Sequence, residues 1–580
     1  MARKKIDYGG WSKDDLIKEI TRIKETTYGL VWHRDVPQER IDVLINPDAR
    51  TPEEVFLNEA GGKPFPVLKE SKVSKIVTDD SLPTNLLIEG DNYHSLAVLN
   101  FTHNEKVDVI YIDPPYNTGN KDFVYNDEYI DKEDSFRHSK WLAFMERRLK
   151  LAKNLLKQDG VIFVSIGEEE FAQLKMMMDD SGIFGELNFI TCIPRVAKTA
   201  SNLGKYFASS VDYILVYAKN IEKLPAFKDE VDSSLYKKED EKGKYRDDVA
   251  FYQASQKDLR PNQKYFVECP DGTLVLPPCS VQDEVMREGD GRWRWSKETY
   301  LKSKDLLVFK KTKTSPLVDQ GGNKAIWNIY TKSYLKEREE KGTVPRNFLD
   351  KFINRKGADH IKQMGISFDY SKPVSLIEYL IKITNKPKDI LVLDFMAGSG
   401  TTAEAVLNLN HADNGSRKFI LCTDNEGKIC EKICYPRVKK VIKGYKNTKG
   451  QEVKGLGGNL RYFKADDFVE SEPTDKNKRK LVKKSSEMLC IKEGVYDLVT
   501  ETEEYKIFKN PQDKYLGVIF YEDAIPAFKK ELKKIKHKVY TYVFSLGDDP
   551  YRAEFKDVKD KVVLQPIPEV ILRVYKEIFK

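Results

Sequence analysis

A tetrapeptide behind an apolar run carries groups that could do chemistry. The run Val107–Ile112 predicts a strand, and the prolines after Asp113 end it, because proline cannot donate to a sheet ladder. The stop leaves the Asp113 carboxylate, the Pro114 carbonyl and the Tyr116 ring on a stiff turn, with Pro115 between them. Two hydrogen-bond acceptors beside an aromatic ring suit an exocyclic amine on a flat base.

These groups would also activate such an amine. The N6 lone pair of adenine is delocalised into the ring, so the amine is a poor nucleophile. Hydrogen bonds from the amine to the Asp113 carboxylate and the Pro114 carbonyl would localise that lone pair. They would also aim the lone pair at a transferable methyl group for in-line displacement. The Tyr116 ring would stack on the base, which can be held in this way only when it is flipped out of the duplex. The N4 amine of cytosine presents similar chemistry, so the motif alone does not separate the two bases.

A second motif, LVLDFMAGSGTTAEAV at 391–406, predicts a cofactor site. A buried strand runs into Gly398-Ser399-Gly400 and then directly into a helix, so that the backbone can approach a ligand and the helix N-terminus offers free N–H groups. A later strand ends with Asp424 and Glu426, and an acidic side chain there can hold ribose hydroxyls. The pattern predicts an adenosine-type cofactor. By itself it is also compatible with a nicotinamide-dependent oxidoreductase or with a structural glycine turn.

Alternating strand and helix patterns must position both motifs. They run from Asn85 to Ala218 and resume after residue 367, which predicts a mostly parallel, Rossmann-like α/β sheet covered by helices. The intervening residues are charged, rich in aromatics and broken by Pro and Gly, which predicts an insert. The predicted regions are an N-terminal accessory or dimerisation region (1–84), a catalytic domain in two parts (85–226 and 367–470), the insert (227–366) and a C-terminal accessory domain (471–580).

The overall composition bounds the function class. A chain of 580 residues, 40% hydrophobic and 33% charged, predicts several folding units and has no apolar run long enough to span a bilayer. The net charge of +7 permits a polyanionic partner without requiring one. Seven scattered cysteines and the lack of a recognisable secretion signal favour a reducing cytoplasm. A Lys-rich run near 474–485 is typical of a solvated linker.

At its motifs the chain resembles the β-type amino-methyltransferases, in which the catalytic motif precedes the cofactor motif in a circularly permuted order. It resembles more closely the modification subunit of Type III restriction–modification systems, through NLLIEGDNYHSL, IDPPYNTGNKDFVYND, HSKWLAFMERRLKLAK, FDYSKPVSLIEYLI and DFMAGSGTT. The resemblance implies transfer of a methyl group from S-adenosylmethionine to adenine N6 in a short asymmetric sequence of double-stranded DNA. It also implies a homodimer and a separate helicase–nuclease partner.

The resemblance implies roles for individual residues. Asp91 falls where the family contacts the adenine end of the cofactor, although a strand-end turn is the alternative interpretation. Lys372 opens the helix that closes the methionine end, and Glu426 is the ribose-binding acid, with Asp424 as the competing choice. No metal site is expected. The residues expected to act on the target base are Asp113, Pro114, Pro115 and Tyr116, with Asn117 as a further substrate contact; those expected to bind the cofactor are Asp91, Lys372, Asp394, Phe395, Ala397, Gly398, Gly400, Thr401 and Glu426.

The insert falls where this family places its target-recognition region. In GRWRW, Arg292 and Arg294 alternate with Trp293 and Trp295, which predicts a strand with cations on one face and aromatic rings on the other. We expect both arginines to contact DNA, because reading a sequence requires such side chains at base edges and phosphates. The alternative is a solvated hairpin whose tryptophans belong to a core.

Three alternatives in function stay open. The first is a DNA amino-methyltransferase without a nuclease partner. The second is a non-catalytic nucleic-acid-binding module, against which the intact Asp-Pro-Pro-Tyr tetrapeptide argues. The third is a single chain that both methylates and cleaves. It lacks support because the sequence shows no Walker-type nucleotide motif, so cleavage would require a partner.

Overall fold

The described part of the chain divides into two compact units. The computed structural model describes residues 12–13, 65–120, 122–125, 128–199, 206–254, 259–469, 475–544 and 551–567. The first unit combines the segments up to residue 226 and from residue 346 onward, and the second comprises residues 227–345. Most of the predicted N-terminal accessory region lies outside the described residues.

The end of the insert differs from the prediction. The second unit begins at residue 227, the predicted position, but it ends at residue 345 rather than 366. Residues 346–366 belong to the first unit because their backbone completes its edge: the Leu349 N–H donates to the Pro194 carbonyl at 3.0 Å, and the Asn354 N–H donates to the Ala197 carbonyl at 2.7 Å. Polarity and aromatic content do not reveal such pairing.

A nine-stranded sheet, counted among the described residues, forms the centre of the first unit. Along the chain its strands are β1 (Phe65–Glu70), β2 (Thr84–Glu89), β3 (Val107–Ile112), β4 (Leu156–Ile166), β5 (Phe189–Val196), β6 (Val211–Ala218), β7 (Leu391–Asp394), β8 (Lys418–Thr423) and β9 (Asn459–Val469). Across the sheet the order is β1-β9-β2-β8-β7-β3-β4-β6-β5. The six strands from β9 to β4 are parallel, whereas β1, β6 and β5 run antiparallel to their neighbours, which confirms the predicted mostly parallel α/β sheet.

Helices cover the sheet, and their apolar stripes explain why they form where they do. In α2 the side chains of Trp141, Met145 and Leu149 recur every four residues and are fully buried, which is the pattern of an amphipathic helix packed on a sheet. The helices of this part are α1 (Asn92–His103), α2 (Arg137–Leu155), α3 (Phe171–Met178), α4 (Asn354–Gln363), α5 (Val374–Ile383), α6 (Thr401–Asp413) and α7 (Tyr435–Lys443).

The C-terminal region packs on the same unit through a helix that we predicted in part as a linker. Helix α8 (Asp475–Glu493) includes most of the Lys-rich run, and it buries Leu481, Ser485 and Met488 at helical spacing. A five-stranded sheet follows in chain order, antiparallel in its first three strands and parallel in its last three. Its strands are β10 (Asp497–Glu501), β11 (Tyr505–Lys509), β12 (Tyr515–Ile519), β13 (Val539–Val543) and β14 (Val562–Gln565), with α9 (Ile525–Leu532) between β12 and β13.

The second unit is built from short antiparallel strands around an aromatic core. Its four-stranded sheet contains Lys238–Asp240, Gly243–Ala250, Leu307–Lys311 and Trp327–Tyr334. The core includes Phe251 and Trp293, whose ring centroids are 4.9 Å apart. The smaller elements are the strands Tyr252–Gln253, Val267–Glu268, Leu274–Leu276, Arg292–Trp293 and Val318–Asp319 and the helices Lys297–Lys302 and Leu335–Lys341.

No helix in the described part of the chain has both the length and the apolar character that a bilayer crossing requires.

Candidate active site

Both sequence motifs lie at the carboxyl edge of the parallel sheet. Strands β2, β8, β7 and β3 are consecutive neighbours, and the carboxyl ends of parallel strands share one edge. Asp91 follows β2, Asp424 and Glu426 follow β8, the glycine turn follows β7, and Asp113 follows β3. The fold therefore gathers at one edge four loops that together span more than 300 residues of sequence.

The turn after β3 is fixed by two contacts from the protein interior. The indole N–H of Trp141, on α2, donates to the Pro115 carbonyl at 2.8 Å. Asn117 has a positive φ of 56° and is fully buried, and its amide donates to Glu170 Oε1 at 2.5 Å. We predicted a substrate contact for Asn117, whereas the structure places its side chain inside the protein, where it holds the turn.

The two predicted catalytic side chains share one ammonium group. Lys372 Nζ donates to both carboxylate oxygens of Asp113, at 2.6 and 2.7 Å, and to the Tyr116 hydroxyl at 3.0 Å. It also lies 4.9 Å from the centroid of the Tyr116 ring. The Lys372 side chain is 9% exposed and that of Asp113 24%. We predicted a cofactor contact for Lys372, which stays a prediction; in the structure its ammonium pairs with the carboxylate of the catalytic motif.

A buried ion pair orients the tyrosine from behind. The Tyr116 hydroxyl donates to Asp212 Oδ2 on β6 at 3.2 Å. Arg195 on β5 is fully buried and holds the same carboxylate through two N–H groups, with Nε 2.8 Å from Oδ1, and it also donates to Asn354 Oδ1 at 2.9 Å. Burial, together with the Asp113 and Asp212 carboxylates, raises the pKa of Tyr116 well above its usual value, so the hydroxyl stays a hydrogen-bond donor at neutral pH.

A second buried carboxyl lies beneath the turn. Glu170 Oε1 is 2.6 Å from His138 Nδ1 and 2.5 Å from Asn117 Nδ2, and within the described chain its Oε2 has no hydrogen-bond partner. Burial raises the pKa of Glu170 to about 8. At neutral pH the carboxyl is therefore mostly protonated. Gly167 packs against the catalytic turn: a Cβ at this position would lie 2.7 Å from the Tyr116 ring, so a larger residue would displace the ring.

The two glycines of the cofactor motif have different roles. Gly398 has φ of 49°, and a Cβ on it would meet no atom of the described chain within 4 Å, so its backbone borders open space. Gly400 has φ of 78°, and a Cβ on it would lie 3.0 Å from Cys434 Sγ, so it also permits close packing against the segment that precedes α7. The Gly400 N–H closes the turn on the Ala397 carbonyl at 2.7 Å. Gly398 is the position that a ligand can approach.

The residues before these glycines support the turn from inside. Asp394 is buried and accepts hydrogen bonds from the Thr402 hydroxyl at 2.6 Å and from the Met396 N–H at 3.0 Å. Burial raises the pKa of Asp394 to about 7. The Phe395 side chain is fully buried, and its carbonyl accepts from Asn92 Nδ2 at 3.1 Å. Both residues were predicted to bind the cofactor, and the structure gives their side chains to the support of the turn.

Thr401 is likewise occupied by an internal network. The fully buried Arg437 donates through Nη1 to the hydroxyls of Ser371, Ser399 and Thr401, at 3.1, 3.0 and 2.8 Å. Its Nε donates to Glu404 Oε2 at 2.9 Å. The network links α6 and α7 to the residue before Lys372, so the Thr401 hydroxyl fixes loop positions.

Two acidic groups with exposed side chains complete the edge. Asp91 caps the N-terminus of α1 through a 2.6 Å hydrogen bond from a backbone N–H, lies 3.5 Å from Arg148 Nη2 and keeps 41% of its side chain exposed. Glu426 is exposed and accepts from the Tyr129 hydroxyl at 3.4 Å, while its own N–H donates to Asp424 Oδ1 at 3.2 Å. Asp91 therefore caps a helix at the end of β2, and its carboxylate also faces solvent.

The two arginines predicted to contact DNA differ in exposure. Arg292 is 9% exposed and donates to Gln253 Oε1 at 3.2 Å, while Trp293 beside it is fully buried. Arg294 is exposed and donates to the Ala250 carbonyl at 2.6 Å. Trp293 and Trp295 both contact Phe251 in the aromatic core, as the predicted alternation requires, although the strand itself spans only two residues. Arg294 is the arginine of the pair that is open to a DNA partner.

The Arg195–Asp212 ion pair was not predicted from the sequence. Each residue is a charge inside an otherwise apolar strand, in FITCIPRV and VDYILVYA. A charged side chain at a buried strand position requires a partner, so two such charges in neighbouring strands were a usable signal.

Comparisons with known proteins agree with this arrangement. The family model of a DNA methylase matches residues 107–434. The chain is 32% identical over 416 residues to the Type III restriction-modification enzyme EcoPI Mod subunit of Escherichia phage P1, covering 63% of this chain and 61% of that one. It is 34% identical over 398 residues to the StyLTI Mod subunit of Salmonella typhimurium, with coverages of 63% and 56%.

A shorter relative is matched over more of its length. The Type II methyltransferase M.KpnI of Klebsiella pneumoniae is 35% identical over 360 residues, which cover 60% of this chain and 82% of that protein. The chain thus spans about 60% of the length of the Type III subunits that it matches. The family match covers more than half of the chain and contains both motifs of the sheet edge, so the chain belongs to the DNA methylase family.

Proposed function

We propose that this protein is a site-specific DNA methyltransferase that modifies adenine N6 in a short asymmetric sequence of double-stranded DNA. We further propose that it acts as the modification subunit of a Type III restriction–modification system. The similarity to two Type III Mod subunits supports the second statement. The geometry of the sheet edge supports the first.

One observation carries the proposal. The Asp113 turn and the Gly398 turn follow β3 and β7, which are paired neighbours in the sheet, so an acceptor for an amine lies beside an open glycine turn. An amino-methyltransferase needs this adjacency, because the amine and the methyl donor must meet. A nicotinamide-dependent oxidoreductase has no use for the Asp113 turn.

The chain's own residues would hold the base as follows. Asp113 and the Pro114 carbonyl accept the two hydrogens of the exocyclic amine, which localises its lone pair. The Tyr116 ring stacks on the base, and its hydroxyl, held by Asp212, sets the ring orientation. Such contacts reach the base only after it leaves the duplex.

S-adenosylmethionine fits the other half of the edge as the proposed cofactor. The Gly398 backbone borders open space, and the exposed Asp91 and Glu426 carboxylates can accept hydrogen bonds from an amine or from ribose hydroxyls. Asp424 is the competing ribose ligand. When bound, the cofactor supplies the methyl group. Asp394, Phe395 and Thr401 would act by fixing the turns.

The proposal extends to partners and location. By likeness to the Type III Mod subunits, the protein would act in the cytoplasm as a homodimer and would pair with a separate helicase–nuclease subunit. Sedimentation of the purified chain measures the first association, and a monomer at micromolar concentration would contradict it.

The testing experiment is long-read sequencing of DNA from a methyl-free host that expresses the chain, with an Asp113→Ala variant as control. We expect one asymmetric motif in which adenine is modified on one strand. The variant should show no modification, yet should bind S-adenosylmethionine with nearly unchanged affinity in calorimetry, because Asp113 contacts the amine.

Other outcomes would overturn parts of the proposal. Modified cytosine in place of adenine would establish the N4 alternative. A palindromic motif modified on both strands would contradict the Type III assignment, and equal modification by the Asp113→Ala variant would contradict the assigned role of the carboxylate. No modification by the wild type would leave the non-catalytic nucleic-acid-binding module as the better hypothesis.

A further inference from the structure

The carboxylate that should receive the target amine is already occupied by Lys372. Its ammonium donates to both oxygens of Asp113 at 2.6 and 2.7 Å. It also donates to the Tyr116 hydroxyl at 3.0 Å, so it fills the gap between the acceptor and the ring. With 9% of its side chain exposed, the lysine is largely removed from solvent.

The position of Lys372 is fixed by its neighbours. The preceding residue, Ser371, is bound by Arg437, and a Cβ on Gly357 would overlap the Ser371 and Lys372 backbone. The next residue, Pro373, caps α5, whose buried side chains anchor the segment in the core. The backbone is therefore fixed, and the flexible part of Lys372 is its four-carbon side chain.

Chemically, the ammonium imitates the amine. Both present N–H donors to the Asp113 carboxylate, and neither presents an acceptor. At the ring position that carries the amine in adenine or cytosine, the keto oxygen O6 of guanine or O4 of thymine would instead face a carboxylate lone pair. It could not replace the hydrogen bonds that the lysine gives up.

We infer that Lys372 is a placeholder for the target amine, so that insertion of a flipped base is an exchange of donors on Asp113 that only an amino base can complete. This inference rests on the proposed function. The inference makes Lys372 a specificity-determining residue. Lys372 keeps the Asp113 carboxylate paired in the absence of a base, and it raises the free-energy cost of inserting a base that has no amine to replace the ammonium. It also accounts for the contact of Lys372, which precedes α5, with the carboxylate of the catalytic turn.

The experiment measures base insertion separately from general DNA affinity. Once sequencing has given the recognition motif, two duplexes are compared, one with the target adenine and one with an abasic site at that position. The ratio of their dissociation constants isolates the base, because both duplexes present the same phosphates. Lys372→Met should increase the preference for the adenine duplex about five- to tenfold, since insertion no longer displaces an ion pair.

A gain in affinity is an outcome that structural damage cannot mimic. The matched control is Lys386→Met, which removes a lysine of similar burial paired with Asp159 at 2.7 Å outside the site. It should leave the ratio within about twofold of the wild type, because it does not contact Asp113. S-adenosylmethionine affinity should stay unchanged in both variants.

A third duplex, with hypoxanthine at the target, tests the amine itself. The wild type should bind it no more tightly than the abasic duplex. The inference is overturned if Lys372→Met leaves the preference unchanged or lowers it, if it weakens S-adenosylmethionine binding instead, or if hypoxanthine binds like adenine. Methylation of the adenine duplex by the wild type is measured alongside, so that failure of the proposed function is recognised separately.

Discussion

At the residue scale, the groups that would touch a base depend on partners buried inside the protein. Tyr116 takes its hydroxyl partner from Asp212, and Asp212 is held by the fully buried Arg195. Asn117 is held by Glu170. The orientation of the catalytic turn is therefore set by residues from β5, β6 and the N-terminus of α3.

The Arg195–Asp212 pair should be costly to break from one side. Arg195→Met leaves an uncompensated buried carboxylate, and we expect it to lower the free energy of unfolding by about 3–5 kcal/mol. Urea unfolding measures this loss. The double variant Arg195→Met/Asp212→Leu should recover much of it, because no unpaired charge remains. Equal losses in the single and double variants would contradict the explanation.

Glu170 should make stability depend on pH in a defined direction. Its folded pKa is raised to about 8 from an ordinary value of 4.5, so the native state holds the proton across that window. The contribution of the group is therefore complete below pH 4.5 and is lost as the pH rises toward about 8.

Glu170→Gln tests this dependence, because glutamine keeps the shape and cannot titrate. The stability of the wild type relative to this variant should fall by up to about 1.4 kcal/mol per pH unit between pH 5 and pH 8. Urea unfolding at several pH values gives the slope. A difference that is constant with pH would show that the carboxyl is ionised in the folded protein.

At the element scale, helix α8 shows how a charged run can belong to a core. Its lysines dominate the sequence pattern, yet Leu481, Ser485, Met488 and Leu489 are buried against the rest of the unit. Long charged side chains on one face do not prevent a helix from packing its other face. The prediction of a linker rested on charge alone and therefore did not include the buried face of the helix.

Truncation of α8 side chains should distinguish a packed helix from a linker. Leu489→Ala removes a fully buried side chain and should cost about 2–5 kcal/mol of unfolding free energy. Lys483→Ala, at an exposed position of the same helix, should stay within about 0.5 kcal/mol of the wild type. Chemical unfolding compares the two, and equal effects would contradict the packed helix.

At the scale of the whole molecule, the chain places its proposed chemistry and its proposed DNA reading in different compact units. The sheet edge with Asp113 and Gly398 belongs to the first unit, and the predicted recognition residues belong to the second, 227–345. The second unit has its own aromatic core. Substitutions on its surface should therefore change DNA binding without changing cofactor binding.

Two exposed cations of the second unit provide the test. The double substitution Arg294→Ala/Lys311→Ala should weaken DNA binding. It should also reduce the slope of the logarithm of the binding constant against the logarithm of the salt concentration by about one for each phosphate contact that is lost. S-adenosylmethionine affinity should not change. Lys302→Ala serves as the control, because Lys302 is already paired with Glu298 at 2.5 Å. Unchanged DNA binding by the double variant would show that this surface does not face the nucleic acid.

The sequence by itself determined the local features of this protein. Val107–Ile112 and Leu391–Asp394 read as buried strands because parallel strands covered on both faces are apolar throughout. The prolines and glycines that follow them identify the turns, since backbone restriction acts at the residue that carries it. Strand–helix alternation was enough to predict the α/β sheet, and the resemblance of the motif segments to amino-methyltransferases was enough to predict the DNA methylase family.

Only the tertiary structure decided which side chains meet. The pairing of Lys372 with Asp113 joins residues 259 positions apart. The buried Arg195 donates hydrogen bonds to both Asp212 and Asn354. The tertiary structure also decided the burial of Asn117 and Arg292: their polar character predicted exposed side chains, but both are buried. A residue type limits the partners a side chain can accept, whereas burial and distance depend on how distant strands and helices pack, and a linear pattern does not contain that information.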